Sequence, residues 1–286
     1  MNATHATHDR KTTHAPTHHS SSASSGSRIG PGKNARVGGL DIHYRDWGQG
    51  EPLILLHGFT GAGADWRHVF DLDALAKTRR LIIPDLRGHG GTNNPSAHFF
   101  HRQCAFDLYA LLDELGIARV DAVGLSLGGN TLLHMATQQP QRVRSMVTVS
   151  APSYFPAQAR AIMALQSDEG RSEAEWEEMR GRHSLGDNQI RGLWRQARAF
   201  AQSYDDMNFT PPLLGTIQAR TLIVAGDRDP LYPLEIFLEQ YRAIARAALY
   251  VVPLGGHGPI FFEARAEFVR LCLAFLAESG TAPARA

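Results

Sequence analysis

Short apolar runs alternate with segments of helical period along most of this chain. Leu53-Ile54-Leu55-Leu56, Leu81-Ile82-Ile83, Val120 to Val123, Val143 to Val149, Leu222-Ile223-Val224 and Leu249 to Val252 are short and rich in β-branched residues, which predicts buried strands. Between them, Arg102 to Leu115 brings Phe106, Tyr109, Ala110, Leu112 and Leu115 near helical spacing, and Gly116 stops the pattern. Further helices are predicted after the loop Thr60 to Trp66 as far as Leu75, after Gly129 as far as Gln139, and from about Glu263 to Leu276. Val37 to Arg45 reads as a hairpin turning at Gly38-Gly39. Strands separated by helices imply βαβ units. The expected fold is therefore α/β, a mostly parallel central sheet with helices on both faces.

The alternation breaks between Pro152 and about Gly215. Three helical segments follow one another there: Pro156 to Gln166, Ser172 to Arg182, and Asp187 to Tyr204. The last aligns Ile190, Leu193, Trp194, Ala197, Phe200 and Tyr204 near one stripe. Such an insertion suits a helical cap over the carboxyl edge of the sheet, where open α/β sheets bind ligands. The chain is thus divided into a core (residues 36–151 and 216–280), a cap (152–215) and a tail (1–35). The tail is dominated by Thr, His, Ser and Ala, has little to bury, and is expected to be disordered. Its histidines His5, His8, His14, His18 and His19 are irregularly spaced with no folded frame, so they are not read as a metal site.

With 286 residues and 43% hydrophobic content, the chain can bury one large core with an inserted subdomain. Lys and Arg number 29 against 28 Asp and Glu, dispersed and without a basic run interleaved by aromatics, which argues against a nucleic-acid partner. No run approaches the ~18 apolar residues of a membrane span, and no secretory signal is visible, so cytoplasm is the default location. Cys104 and Cys272 read as small buried hydrophobes rather than a disulfide or metal pair. No metal or cofactor is expected, and oligomeric state is not legible.

The chemistry concentrates where strands end. Val120 to Val123 leads into Gly124-Leu125-Ser126-Leu127-Gly128, followed by a helical segment. A serine on a sharp strand-to-helix turn lifts its Oγ out of the sheet, and flanking glycines let the backbone bend that tightly. Pro52 to Leu56 ends in His57-Gly58-Phe59, where a loop can offer a backbone N–H to an oxyanion. Downstream, Thr221 to Gly226 ends in Asp227-Arg228-Asp229, and Ala248 to Val252 ends in Gly255-Gly256-His257-Gly258. A serine hydroxyl needs a base, and His257, glycine-flanked and following the acid, is the candidate among 14 histidines. The pentapeptide alone would be weak; the four strand-end motifs in the order Ser, Asp, His are specific.

From about Val37 to Leu276 the chain resembles the α/β-hydrolase family in its single-chain form with a helical cap. The resemblance implies a Ser126–His257–Asp229 triad, with Asp229 the acid and Asp227 organising the turn. It also implies an oxyanion hole made by the backbone N–H groups of Phe59 and Leu127. His57 is expected to hydrogen-bond backbone, and Asp85, Arg87 and His89 of Asp-x-Arg-Gly-His-Gly to form a charge-and-turn network beside the site. Trp66, Tyr154, Phe155, Trp194, Tyr204, Met207, Leu231 and Ile260 are candidates for the substrate pocket. A His-Gly-Phe loop rather than His-Gly-Gly-Gly argues against the lipases built on the latter, and Ser126 at the nucleophile position disfavours epoxide hydrolases and dehalogenases. The expected activity is hydrolysis of a small carboxylic ester through an acyl-enzyme. Lactone opening, C–C bond cleavage, thioester hydrolysis and perhydrolase or haloperoxidase chemistry use the same triad, and a non-catalytic receptor is the reading from another class.

Overall fold

The computed structural model describes residues 29–96 and 98–278, so most of the predicted tail, with its five histidines, lies outside the described residues. Eight strands form one sheet: β1 (Gly32–Val37), β2 (Leu40–Gly48), β3 (Glu51–Leu56), β4 (Arg79–Pro84), β5 (Val120–Leu125), β6 (Val143–Val149), β7 (Arg220–Gly226) and β8 (Ala247–Val252). Their order across the sheet is β1-β2-β4-β3-β5-β6-β7-β8. β2 runs antiparallel to both β1 and β4, and every other pairing is parallel. The fold is the α/β one expected. The tail boundary needs correcting, because residues 32–35 pair with β2 and belong to the sheet.

The nine α-helices among the described residues are α1 (Leu72–Leu75), α2 (His101–Glu114), α3 (Leu127–Gln138), α4 (Ala157–Ala164), α5 (Glu173–Arg182), α6 (Asp187–Ala199), α7 (Pro211–Leu214), α8 (Leu234–Ala243) and α9 (Arg265–Ala277). The period-two alternation of each central strand feeds two cores. Ile54, Leu56, Ala122, Ile223 and Ala225 pack with Leu108, Leu112, Leu132 and Phe237 of α2, α3 and α8. Leu53, Leu55, Val123, Leu222 and Val224 point to the other face, against Trp66, Phe70, Leu72 and Phe268. Continuous apolar strands are what a sheet buried on both faces requires. Cys104 and Cys272 are buried free thiols in different cores, each pushed up in pKa by burial.

Several elements differ from expectation, the short α7 among them, which no predicted helix covers. The helix predicted to run through Leu75 is a 3-10 turn, Gly63–His68, followed by the separate α1, because Asp71 accepts the Ala74 N–H at 3.0 Å and starts a new helix. α6 stops at Ala199 with a 3-10 turn to Gln202, so Tyr204 falls outside it. α8 went unpredicted; it follows Pro233 and buries Ile236, Phe237 and Gln240.

α4 to α6 lie between β6 and β7. Met179, Ile190, Leu193 and Trp194 form a small cluster of their own, against which Phe59 also packs. Asp206, at the end of this segment, reaches back to the start of α2. It accepts the backbone N–H of His101 at 2.6 Å and of Arg102 at 3.1 Å, and pairs with His101 Nδ1 at 2.7 Å. The residue before α2 is Phe100, which cannot cap, so the acid supplied from afar satisfies the orphan amides of that helix end. Burial would raise the Asp206 carboxyl, but the bonds from His101 and the two amides prevail and hold it at about 2.

Candidate active site

Ser126 sits between β5 and α3 at φ 48, ψ −109, a backbone conformation that costs a non-glycine residue ~1–3 kcal/mol. Its neighbours explain how the chain gets there. A Cβ on Gly128 would lie 2.2 Å from the Leu56 carbonyl oxygen, and one on Gly124 would lie 2.5 Å from the Gly128 backbone. Only glycine lets strand, turn and helix approach so closely. The Ser126 N–H donates to the Val149 carbonyl at 2.7 Å, and the Asn130 N–H to the Ser126 carbonyl at 2.8 Å, so both sides of the turn are held.

His257 Nε2 lies 2.9 Å from Ser126 Oγ, and His257 Nδ1 lies 2.8 Å from Asp229 Oδ2. The other Asp229 oxygen accepts the N–H groups of Leu231 at 2.8 Å and Tyr232 at 3.3 Å, which fixes the carboxylate plane. Nδ1–H donation to the buried Asp229 leaves Nε2 to accept from the serine hydroxyl. Asp227 is exposed and away from this chain of bonds. The two loops meet backbone to backbone: a Cβ on Gly226 would lie 2.2 Å from the Gly255 carbonyl oxygen. Tyr232, fully buried and kept a neutral phenol by that burial, packs edge-on to His257 at 5.3 Å.

The turn after β3 stands opposite. Its Gly61 N–H donates to the Gly58 carbonyl at 3.1 Å, and neither the Phe59 nor the Leu127 N–H has a protein acceptor among the described residues. His57 donates from Nδ1 to the Gly58 carbonyl at 2.8 Å and accepts the Leu86 N–H on Nε2 at 2.9 Å; it serves backbone, as expected. Asp85 accepts the N–H groups of Gly63 and Gly91 at 2.7 and 2.9 Å, and Arg87 makes a bidentate pair with Asp107 at 2.8 and 2.6 Å. Burial lowers the pKa of His57 and His89, and the neighbouring histidines push His89 lower still.

A cavity of about 550 Å³ is lined by Ser126, His257, Phe59, Leu127 and residues of the inserted segment. Of the predicted pocket residues, Trp194, Leu231 and Phe155 line it. Trp66 lines instead a neighbouring cavity of about 250 Å³ that shares Gly58, Phe59 and Thr60 with the first. Tyr154 is exposed in a β-bridge to Asn208, and Tyr204, 59% exposed, has the Arg160 guanidinium 3.7 Å from its ring centre. Ile260 is wholly buried in the α9 core, and Met207 in the α2 core. None of these four reaches either cavity.

The sequence reading missed two charged pairs in the larger cavity. Arg171 donates to Glu175 at 2.7 Å, and Arg182 donates to Glu178 at 2.6 Å with Asp65 at 3.3 Å on its other side. The i,i+4 spacing of Arg171–Glu175 and Glu178–Arg182 is the ordinary signature of a solvated helix face, so no sequence signal marked them. His101, Asn130, Met163 and Met179 also line the cavity and carried no signal. Among the described residues, no group of three or more His, Cys, Asp or Glu could hold a metal, and no helix is long and apolar enough to cross a membrane.

Residues 53–271 match the profile of the Alpha/beta hydrolase family, and the chain belongs to that family. It is 30% identical over 274 residues to a 2-hydroxymuconate semialdehyde hydrolase of Pseudomonas sp. (strain CF600), covering 88% of this chain and 95% of the relative. A 2-hydroxy-6-oxo-2,4-heptadienoate hydrolase of Pseudomonas putida F1 is 30% identical over 270 residues, covering 86% and 96%. A meta-cleavage product hydrolase from Pseudomonas fluorescens IP01 has the same fold, with a TM-score of 0.71 at 24% identity over 88% of this chain and 99% of that one.

Proposed function

We propose that the protein is a serine hydrolase that cleaves a small, uncharged carboxylic ester, with Ser126, His257 and Asp229 as its triad and residues 152–215 as a cap over the pocket. His257 Nε2 takes the Ser126 proton as Oγ attacks the carbonyl carbon. The oxyanion is received by the Phe59 and Leu127 N–H groups, the second at a helix N-terminus whose dipole favours the charge. The imidazolium, oriented by Asp229, then protonates the departing alcohol. Water, deprotonated by the same imidazole, releases the acid and regenerates the serine.

The observation carrying this reading is the unbroken Oγ–Nε2, Nδ1–Oδ2 chain of 2.9 and 2.8 Å at the wall of a cavity whose cations are already matched. Arg171 and Arg182 are each bonded to carboxylates, which leaves no spare positive charge for an anionic substrate. A second reading, C–C bond hydrolysis, is favoured by the likeness to the two hydrolases above. A dienoate substrate carries a carboxylate, and burying one needs a partner. The test sets p-nitrophenyl butyrate against 2-hydroxy-6-oxo-2,4-heptadienoate, with fluorophosphonate labelling in parallel. The ester reading expects label on Ser126 alone and turnover of the ester with at least tenfold higher kcat/KM. Faster turnover of the dienoate selects the second reading. A protein that takes no label and turns over neither substrate is not a hydrolase of this kind.

A further inference from the structure

We infer that His183, at the end of α5 in the inserted segment, is a positioning residue for the oxyanion loop. This rests on the reading that the Phe59 N–H receives the oxyanion. His183 is 2% exposed. Its Nδ1 accepts the Gly90 N–H at 2.9 Å, so the ring proton is on Nε2, which donates to the Thr60 carbonyl at 3.1 Å.

Thr60 is the residue that needs holding. Gly58, Phe59, Thr60 and Gly61 form a turn closed by the Gly61 N–H on the Gly58 carbonyl, and Thr60, its third residue, has φ 61. That position of such a turn calls for glycine or asparagine, and a β-branched residue there is uphill. The turn is therefore not self-supporting. Asp65 accepts the Ala62 N–H and Asp85 the Gly63 N–H, which pin the chain beyond the turn, and His57 holds Gly58 before it. His183 is the side chain that holds the Thr60 carbonyl among the described residues. It is itself anchored by its own N–H on the Met179 carbonyl and by the Ser184 N–H on the Gly90 carbonyl. The cap thereby sets the aim of a donor on the core. If Thr60 relaxed toward negative φ, the peptide next to the Phe59 donor would turn, while the apolar walls that bind the ground state would stay in place.

Asparagine is the variant that separates positioning from stapling, because its Oδ1 can stand in for Nδ1 toward Gly90 yet cannot reach Thr60. His183→Asn is expected to fold, to lower ester kcat about 10- to 100-fold, as a misaimed oxyanion donor does, and to leave KM within about twofold. The rate of Ser126 phosphonylation should fall in parallel, since that reagent also builds a tetrahedral oxyanion. His183→Gln, whose amide can donate to Thr60, should recover most of the loss. So should Thr60→Gly added to His183→Asn, because glycine adopts the positive φ unaided. Wild-type kinetics in His183→Asn, a kcat loss matched by an equal rise in KM, or failure of both rescues overturns the inference. If His183→Asn does not fold, His183→Gln and Thr60→Gly/His183→Gln carry the same comparison, and a Gln variant with no activity at all that Thr60→Gly leaves inactive is equally fatal. Wild-type protein that takes no phosphonate label would instead remove the underlying serine-hydrolase reading.

Discussion

The sheet edge and the inserted segment face one another across the same pocket, but their residues are held in place by different means. At the sheet edge, positions are set by backbone. Ser126 is fixed by backbone hydrogen bonds with Val149 and Asn130 and by glycines whose neighbours leave no room for a Cβ. The inserted segment keeps a four-residue apolar cluster of its own, carries partly exposed ion pairs, and sends Phe155, Ala159, Phe200, Met207 and Phe209 into the larger core. Polar contacts add to that apolar seam: His183 to Thr60 and Gly90, Gln189 to the Gly88 and Gly90 carbonyls, and Asp206 to His101 and His134. The two regions thus differ in what fixes them: backbone at the sheet edge, side chains in the inserted segment.

If that contrast is right, the largest effect should come from the smallest change at the sheet edge. Gly128→Val places carbon where the Leu56 backbone stands, and backbone cannot yield as a side chain does. We expect no folded, active protein, measured as loss of the cooperative thermal transition and of ester hydrolysis. A folded Gly128→Val enzyme with wild-type kcat would show that the turn tolerates displacement.

Acid should attack the seam next. Burial lowers His183 and His134 to about 4, against partial opposition from Thr60 and Asp206 respectively. In the unfolded chain both return to about 6.5, so between these values the unfolded state binds more protons. Their contribution is complete above pH 6.5 and is lost as pH falls toward 4. The slope is about 1.4 kcal/mol per pH unit for each histidine, on the order of 7 kcal/mol for the pair across the whole window. Urea midpoints at pH 7, 5.5 and 4.5 read this directly. A double His183→Asn/His134→Gln variant should make the profile shallower, His57 and His89, also lowered by burial, keeping the remainder, and an unchanged profile would place the acid sensitivity elsewhere.

The same contrast explains what was legible in the sequence. Strand-end motifs were readable because backbone geometry dictates residue type there: glycine around Ser126, the hairpin at Gly38-Gly39, and loops carrying Asp229 and His257. The alternation that identified the strands also sorts into the two cores. The pocket was not readable, since an aromatic side chain advertises burial but not which cavity it faces. Ile260 and Met207 went to the cores, Tyr154 and Tyr204 to the surface, and only Trp194, Leu231 and Phe155 to the larger pocket. Long-range polar contacts left no local mark at all. Asp206 caps a helix 105 positions earlier in the chain, and His183 reaches Thr60 across 123.

Asp206→Ala tests one such contact. It removes the acceptor for the first amides of α2 and leaves His101 buried beside the pocket without its partner. Leaving buried donors unsatisfied in this way typically costs ~1–3 kcal/mol for each group. Urea unfolding at pH 7 should show that loss, with a shift in KM as His101 and Phe200, whose rings pack 5.1 Å apart, lose their support. A change of less than about 1 kcal/mol, within the range of ordinary surface substitutions, would mean that the seam is held by its apolar contacts instead.

The smallest expected effect lies in the inserted segment and has the opposite sign. Gly181 is inside α5, with nothing within 4 Å of the point where a Cβ would stand and no positive φ. Alanine there should not clash, and in this last turn it should gain part of the ~0.5–1 kcal/mol by which alanine exceeds glycine in a helix interior, glycine's backbone losing more freedom on folding. Gly181→Ala is therefore expected to raise the urea midpoint slightly while leaving ester kcat unchanged. If stiffening α5 instead lowers kcat at constant KM, the inserted segment has to flex during turnover, and mobility there belongs to the catalytic cycle as well as to substrate entry.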